Sequence, residues 1–129
     1  MSGLLAIVHR VISAIAAKDY DSALPFFTED CEYTNLPMGS VTGPQGVRAV
    51  LEPFFAPTIE NDLVVLRSAV EGLTVFTERL DRHRIERGWV ELPVTGVFVF
   101  RERKIAVWRE YFDLGTLLRQ WPELAPAAT

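Results

Sequence analysis

Cysteine is almost missing from this 129-residue chain. Cys31 stands alone, which excludes an internal disulfide and suits a reducing compartment. Histidine is nearly as scarce: His9 and His83 lie far apart, and no Cys/His pair has zinc spacing, so no metal centre is expected. Cationic excess is missing too. Thirteen Lys and Arg against 17 Asp and Glu give a net charge of −4, which leaves no electrostatic footprint for nucleic acid or an anionic membrane. The apolar N-terminal stretch is broken by His9 and Arg10, has no basic segment before it and is too short to span a bilayer. The cytoplasm is therefore the expected location. Repeats, low-complexity tracts and linkers are absent. What remains, 49% hydrophobic and 23% charged, is an ordinary globular composition for a single domain over residues 1–129.

Within that composition the apolar residues are patterned. Leu4, Leu5, Val8, Val11, Ile12 and Ile15 recur at helical spacing after Ser2, a suitable N-cap, and predict an amphipathic helix ending near Lys18 and Asp19. A short helical piece, "YDSALPFF", comes next and is interrupted by Pro25. "CEYTNLP" reads as a strand end entering a turn. "GPQGVRAVLEPFFAP", with Pro44 placed for a first turn, reads as a third helix. From Ile59 onward the chain turns β-rich: "DLVVLRSAVEG", "LTVFTERLDRHRIE", "WVELPVTGVFVFRE" and "KIAVWREYFD" are separated by turn residues. "LGTLLRQWP" adds a closing helix, and "ELAPAAT" reads as a loose tail. Helices first and antiparallel strands afterwards predict an α+β domain, a curved sheet folded over the N-terminal helices around an apolar interior.

Glu110 conflicts with this pattern. It stands in "VWREYFD", an apolar and aromatic strand, on the same face as Trp108 and Phe112. Desolvating a carboxylate there costs several kcal/mol, roughly, unless it is paired or protonated. Elsewhere Arg79 and Asp81 share one strand face with Val75 and Thr77, and Tyr33 shares a face with Asn35. Each has an ordinary explanation: Arg79 and Asp81 suit a solvated strand pair, Tyr33 and Asn35 a turn entry, Glu110 a structural ion pair. Alternation alone does not say which face of the Arg79 strand is inside. Five such groups on three segments nevertheless point together towards acid–base chemistry.

"EYTNLP", "VFTERLD" and "WREYFDL", in this order and at these separations, resemble the signature of the limonene-1,2-epoxide hydrolase family. The resemblance spans nearly the whole chain. It implies an NTF2-like cone with a curved mixed β-sheet wrapped over the N-terminal helices, a fold shared with ketosteroid isomerases and SnoaL-like polyketide cyclases. It also implies one-step opening of an epoxide to a diol, without a covalent intermediate, metal or cofactor. Carried over, Tyr33 and Asn35 would hold a water, Glu110 would take its proton, Asp81 would protonate the epoxide oxygen, and Arg79 would bridge the two carboxyls. The family pattern has aspartate where this chain has Glu110, and one methylene moves the carboxylate by about a bond length, enough to cost on the order of 10²-fold in rate if the site does not adapt.

The expected substrate is a small, apolar, cyclic or terpene-like epoxide. Inward candidates for its pocket are Leu36, Met38, Val75, Leu92, Val94, Trp108, Phe112, Leu117 and Trp121, and no cationic cluster awaits a phosphate. His83, two beyond Asp81, faces the same way and reads as a rim residue or an alternative base. Two other functions stay open: an isomerase or cyclase that abstracts a proton beside a carbonyl, and a non-catalytic binding module. The apolar run Val97–Phe100 predicts a strand covered on both faces, hence a homodimer.

Overall fold

The computed structural model describes residues 3–125. Helix α1 spans Gly3–Ala16 and buries Ile7, Val8, Val11, Ile12 and Ile15, the stripe that helical spacing demands. The expected cap, Ser2, lies outside the described residues, as do residues 126–129 of the expected tail; Glu123 and Leu124 close a short 3₁₀ turn. After Ala16 the chain reverses through Lys18, whose φ of 59° is left-handed. Asp19 then caps α2, Tyr20–Ala23, by accepting from Ser22 N at 3.2 Å. Pro25 confines Leu24–Phe26 to a 3₁₀ turn, so the expected "YDSALPFF" helix is only one turn long and strand β1 starts as early as Phe27.

Strand β1, Phe27–Asn35, is followed by β2, Gly39–Thr42, and helix α3, Gly43–Phe55, which has a Pro in its first turn. Four long strands come next: β3, Glu60–Glu71; β4, Thr74–Ile85; β5, Gly88–Arg101; and β6, Lys104–Tyr111. Helix α4, Leu114–Gln120, closes the fold, with Asp113 accepting from Thr116 N at 2.9 Å as its cap. That role accounts for Asp113 standing apart from Glu110. No described helix is long and apolar enough to cross a membrane.

All six strands form one sheet in the order β2-β1-β6-β5-β4-β3. It is mixed: β1 runs parallel to β6 and every other pairing is antiparallel. Register shifts between Val65 and Arg67 and between Val99 and Phe100 mark bulges, which sharpen local bend and twist.

One face of the sheet receives α1 and α3. Inward residues therefore line up in rows across the strands. The lowest relevant row is Val75, Phe98, Trp108 and Tyr33, with Trp108 stacked on Tyr33 at 4.2 Å and on Phe98 at 5.6 Å. Such ring pairs contribute about 0.5–1.5 kcal/mol each beyond the area they bury. This aromatic row roofs the main core, in which Val8, Val11, Val47, Val75, Phe98 and Ile105 are fully enclosed. Cys31 is buried in the same core as a free thiol, its pKa pushed up by burial.

Candidate active site

Directly above the aromatic row, the next row reads Thr77, Gly96, Glu110 and Asn35. The rows beyond it hold Arg79 opposite Val94, Asp81 opposite Leu92, and His83 opposite Val90. These upper rows face a cavity of about 420 Å³, within the range of small-molecule sites. Its walls are largely apolar, including Ile12, Val50, Leu51, Phe54, Leu63 and Leu118, and its polar groups are the side chains of Tyr33, Asn35, Ser40, Arg79, Asp81, His83 and Glu110.

Strand β4 settles which of its faces is inside. Val75, Thr77, Arg79, Asp81, His83 and Ile85 are buried, while Phe76 and Glu78 are exposed. The alternation is the expected one.

Arg79 is 2% exposed and organises the charged centre. Its Nε and Nη2 donate to the two oxygens of Asp81, both at 3.0 Å. Nη2 also donates to Glu110 Oε1 at 2.5 Å, Nη1 to Glu110 Oε2 at 3.2 Å, and Nη1 to Thr77 Oγ1 at 3.1 Å. Arg79 lies on β4 and Glu110 on β6, with β5 between them, a span of about 10 Å at normal strand spacing. The two side chains meet over Gly96. A Cβ built there would lie 2.5 Å from Arg79 Nη1 and 2.6 Å from Glu110 Oε2, so no larger residue fits without moving the pair. Gly96 and the Thr77 hydroxyl belong to the site although sequence reasoning gave them no role. The available signal was a lone glycine inside an apolar strand, which marks close approach of another group.

Burial raises the Glu110 pKa, and Arg79 opposes that rise through charge and hydrogen bonding. The indole N–H of Trp108 faces the same carboxyl and favours its ionised form weakly, without completing a hydrogen bond of its own. Burial works against the charge of Arg79, yet Glu110 and Asp81 outweigh it and hold the guanidinium cationic. One cation between two buried carboxyls is neutral when the pair carries one proton. That state supplies a base and an acid at once.

The parallel pairing of β1 with β6 puts Tyr33 beside Trp108 and Asn35 beside Glu110. Tyr33 is buried, and burial followed by the nearby Glu110 charge keeps its phenol protonated. Its hydroxyl donates to Asn35 Oδ1 at 3.4 Å, which brings the two polar groups together beside Glu110.

The expected pocket residues divide. Met38, His83, Leu92, Val94, Trp108, Phe112 and Leu117 line the cavity. Leu36 does not: it comes directly after the last residue of β1, donates its backbone N–H to Glu110 O at 3.0 Å, and is exposed. Val75 does not either. It has the right face but is sealed in the core, at the β4 end of the row whose Trp108 and Tyr33 reach the cavity. Trp121 is buried behind the wall against Phe54 and His83.

Among the described residues no group of three His, Cys, Asp or Glu is arranged to hold a metal ion. Residues 4–123 match the family model of the limonene-1,2-epoxide hydrolase catalytic domain. The chain belongs to the limonene-1,2-epoxide hydrolase family. A relative, epoxide hydrolase EphG of Mycobacterium tuberculosis, is 26% identical over 83% of this chain and 71% of its own length. A solved LEH-like epoxide hydrolase of M. tuberculosis superposes with a TM-score of 0.80 at 23% identity, covering 94% of this chain and 90% of that one. A protein named as a SnoaL-like polyketide cyclase from Shewanella putrefaciens CN-32 gives 0.84 at 16% identity, over 95% and 98% of the two chains. At those identities the two structures speak for the fold, which is the NTF2-like one shared by limonene-1,2-epoxide hydrolases and SnoaL-like proteins.

Proposed function

We propose that this member of the family adds water to a small, apolar, cyclic or terpene-like epoxide, in one step and without a cofactor. The observation that carries the reading is the guanidinium of Arg79 bonded to both buried carboxyls, Asp81 and Glu110, at the floor of an apolar cavity.

In the proposed reaction Asn35 Nδ2 donates to a water oxygen, and the water donates its hydrogens to Glu110 and to the oxygen of Tyr33. One lone pair of the water remains for the epoxide carbon. As the C–O bond to water forms, Glu110 takes a proton, the strained C–O bond breaks, and Asp81 gives its proton to the departing oxygen. The product is a diol. Glu110 ends protonated and Asp81 ionised, and one proton transfer between them through solvent restores the starting state. A Glu110 pKa raised by burial makes it a stronger base once ionised. Acid–base assistance of this kind is worth roughly 10²–10⁴-fold, and holding water and epoxide in line supplies the remainder.

The isomerase alternative needs a neutral Asp81 that donates to an oxyanion. The hydrolase reading asks for the same proton on Asp81, so the bonds from Arg79 do not separate the two and the reaction itself must. The test is diol formation from a panel of cyclic and terpene epoxides by the wild type and Glu110→Gln. Diol from the wild type only, with ligand binding retained in the variant, is the expected result. Isomerisation of enolisable ketones with no diol would replace the hydrolase by the isomerase, and ligand binding with neither reaction would leave a binding module. We further propose a homodimer through the outer face of the sheet, where Phe76, Leu80, Pro93, Val97, Val99 and Tyr111 form an apolar stripe. Sedimentation equilibrium decides it.

A further inference from the structure

His83 is a buried base that the proposed chemistry leaves unused. It stands on the cavity wall two residues beyond Asp81, on the same face of β4, and is 2% exposed. Its Nδ1 lies 2.8 Å from Oδ1 of Asn61, its cross-strand partner on β3. The orientation of that amide is fixed: Asn61 Nδ2 donates to the carbonyl of Ala16 at 3.3 Å and to Thr58 Oγ1 at 2.8 Å. A backbone carbonyl can only accept, so the nitrogen of Asn61 faces Ala16 and its oxygen faces His83. Thr58 passes its own proton to Phe55 O at 2.7 Å, which leaves its oxygen to accept from Asn61.

Nδ1 is therefore the protonated nitrogen of His83, and Nε2 is a bare acceptor that no donor reaches among the described residues. Phe54 and Phe55 pack edge-on against the ring at 5.1 and 5.4 Å and hold its plane. Burial pushes the imidazole pKa down to about 4, with Asp81 opposing, so the ring is neutral at neutral pH. Nε2 is not sealed among Phe54, Phe55 and Trp121: it opens onto the cavity, where a ligand hydroxyl can reach it.

We propose that His83 Nε2 receives a hydroxyl of the substrate, so that the substrate class is an epoxy alcohol, with an apolar ring or branched frame between its two polar ends. The inference rests on the hydrolase reading for the epoxide end only. Two residues along a strand span about 7 Å, which sets the distance between the oxygen met by Asp81 and the hydroxyl met by His83. A cationic amine does not suit, because both carboxylates near the cavity are already held by Arg79.

The test uses two non-reactive ligands, a cyclohexanediol carrying a hydroxymethyl group and its isostere carrying an ethyl group. Their binding to wild type and to His83→Leu is measured by calorimetry, and ¹⁵N NMR follows the imidazole of the wild type. The preference for hydroxymethyl over ethyl should fall about tenfold in the variant. The free protein should show the Nδ1–H tautomer, with the Nε2 resonance moving on addition of the hydroxymethyl ligand alone. An unchanged preference, an Nε2–H tautomer, or no binding of either ligand would overturn the proposal. The spectrum needs no substitution and decides the matter if the variant does not fold. Neither measurement depends on catalysis. The preference without diol from any epoxide would remove the hydrolase reading and keep the hydroxyl site, and diol without the preference would do the reverse.

Discussion

The two faces of β4 carry the same kinds of residue and use them in opposite ways. On the inner face Arg79 makes five hydrogen bonds, to Thr77, Asp81 and Glu110, and is almost wholly enclosed. On the outer face Arg82 pairs with Glu91 at 2.7 Å, approaches Asp62 at 3.9 Å and lies over the ring of Trp89 at 4.2 Å, with water still reaching it. Glu78 pairs with Arg67 and Arg84 with Glu60 in the same exposed manner. The chemistry of the side chains does not separate the two sets; burial does. Desolvated charges depend on each other completely, while solvated ones are nearly independent.

Breaking the inner set should therefore cost most. Arg79→Ala leaves two carboxyls buried without their cation, and a loss of about 3–5 kcal/mol in urea unfolding is expected, together with loss of activity. Gly96→Ala tests the same centre sterically. Its methyl would displace Arg79 or Glu110 by on the order of 1 Å, so turnover should fall about 10²-fold while ligand binding changes far less.

A smaller effect belongs to His83, whose folded-state pKa of about 4 lies below its ordinary value of 6.5. Between those values the unfolded chain binds a proton that the folded protein does not. The contribution is fully present above pH 6.5 and is lost as pH falls towards 4. Glu110 acts in the opposite sense, because its pKa is raised: its contribution falls as pH rises past 4.5. Comparing wild type with His83→Asn isolates the histidine. The stability of the wild type relative to the variant should drop by about 2–3 kcal/mol between roughly pH 7 and pH 4.5. At the bottom of the scale, Arg82→Ala should cost no more than about 1 kcal/mol and leave activity unchanged. A large loss there would erase the distinction between the faces.

Much of this arrangement was legible in the sequence because it rests on local rules. Helical spacing located α1 and α3, and period-two alternation put Arg79, Asp81 and His83 on one face. Which face was inner depended on where α1 and α3 pack, and a strand does not encode that. The reach of Arg79 across β5 to Glu110 depended on register among three strands and on the gap at Gly96. Strand β2 escaped notice because four residues beginning with a glycine at φ 126° carry little strand signal. Leu36 and Val75 show the same limit from two sides. Leu36 lost its inward direction at a turn, and Val75 kept its direction but is fully enclosed at the β4 end of a row that meets the cavity only at Trp108 and Tyr33. The partner of His83, Asn61, lies 22 residues away on a neighbouring strand, beyond the range of any local pattern.

The central claim is that Glu110 activates a water that attacks the epoxide directly. A single turnover in ¹⁸O-labelled water, with enzyme in excess over epoxide, tests it for the wild type and Glu110→Gln side by side. The account predicts one labelled oxygen in the diol from that first turnover and no diol from the variant. Unlabelled diol in the first turnover, with label appearing only later, would place an enzyme carboxylate on the carbon instead. Undiminished labelled diol from Glu110→Gln would remove Glu110 from the role of base.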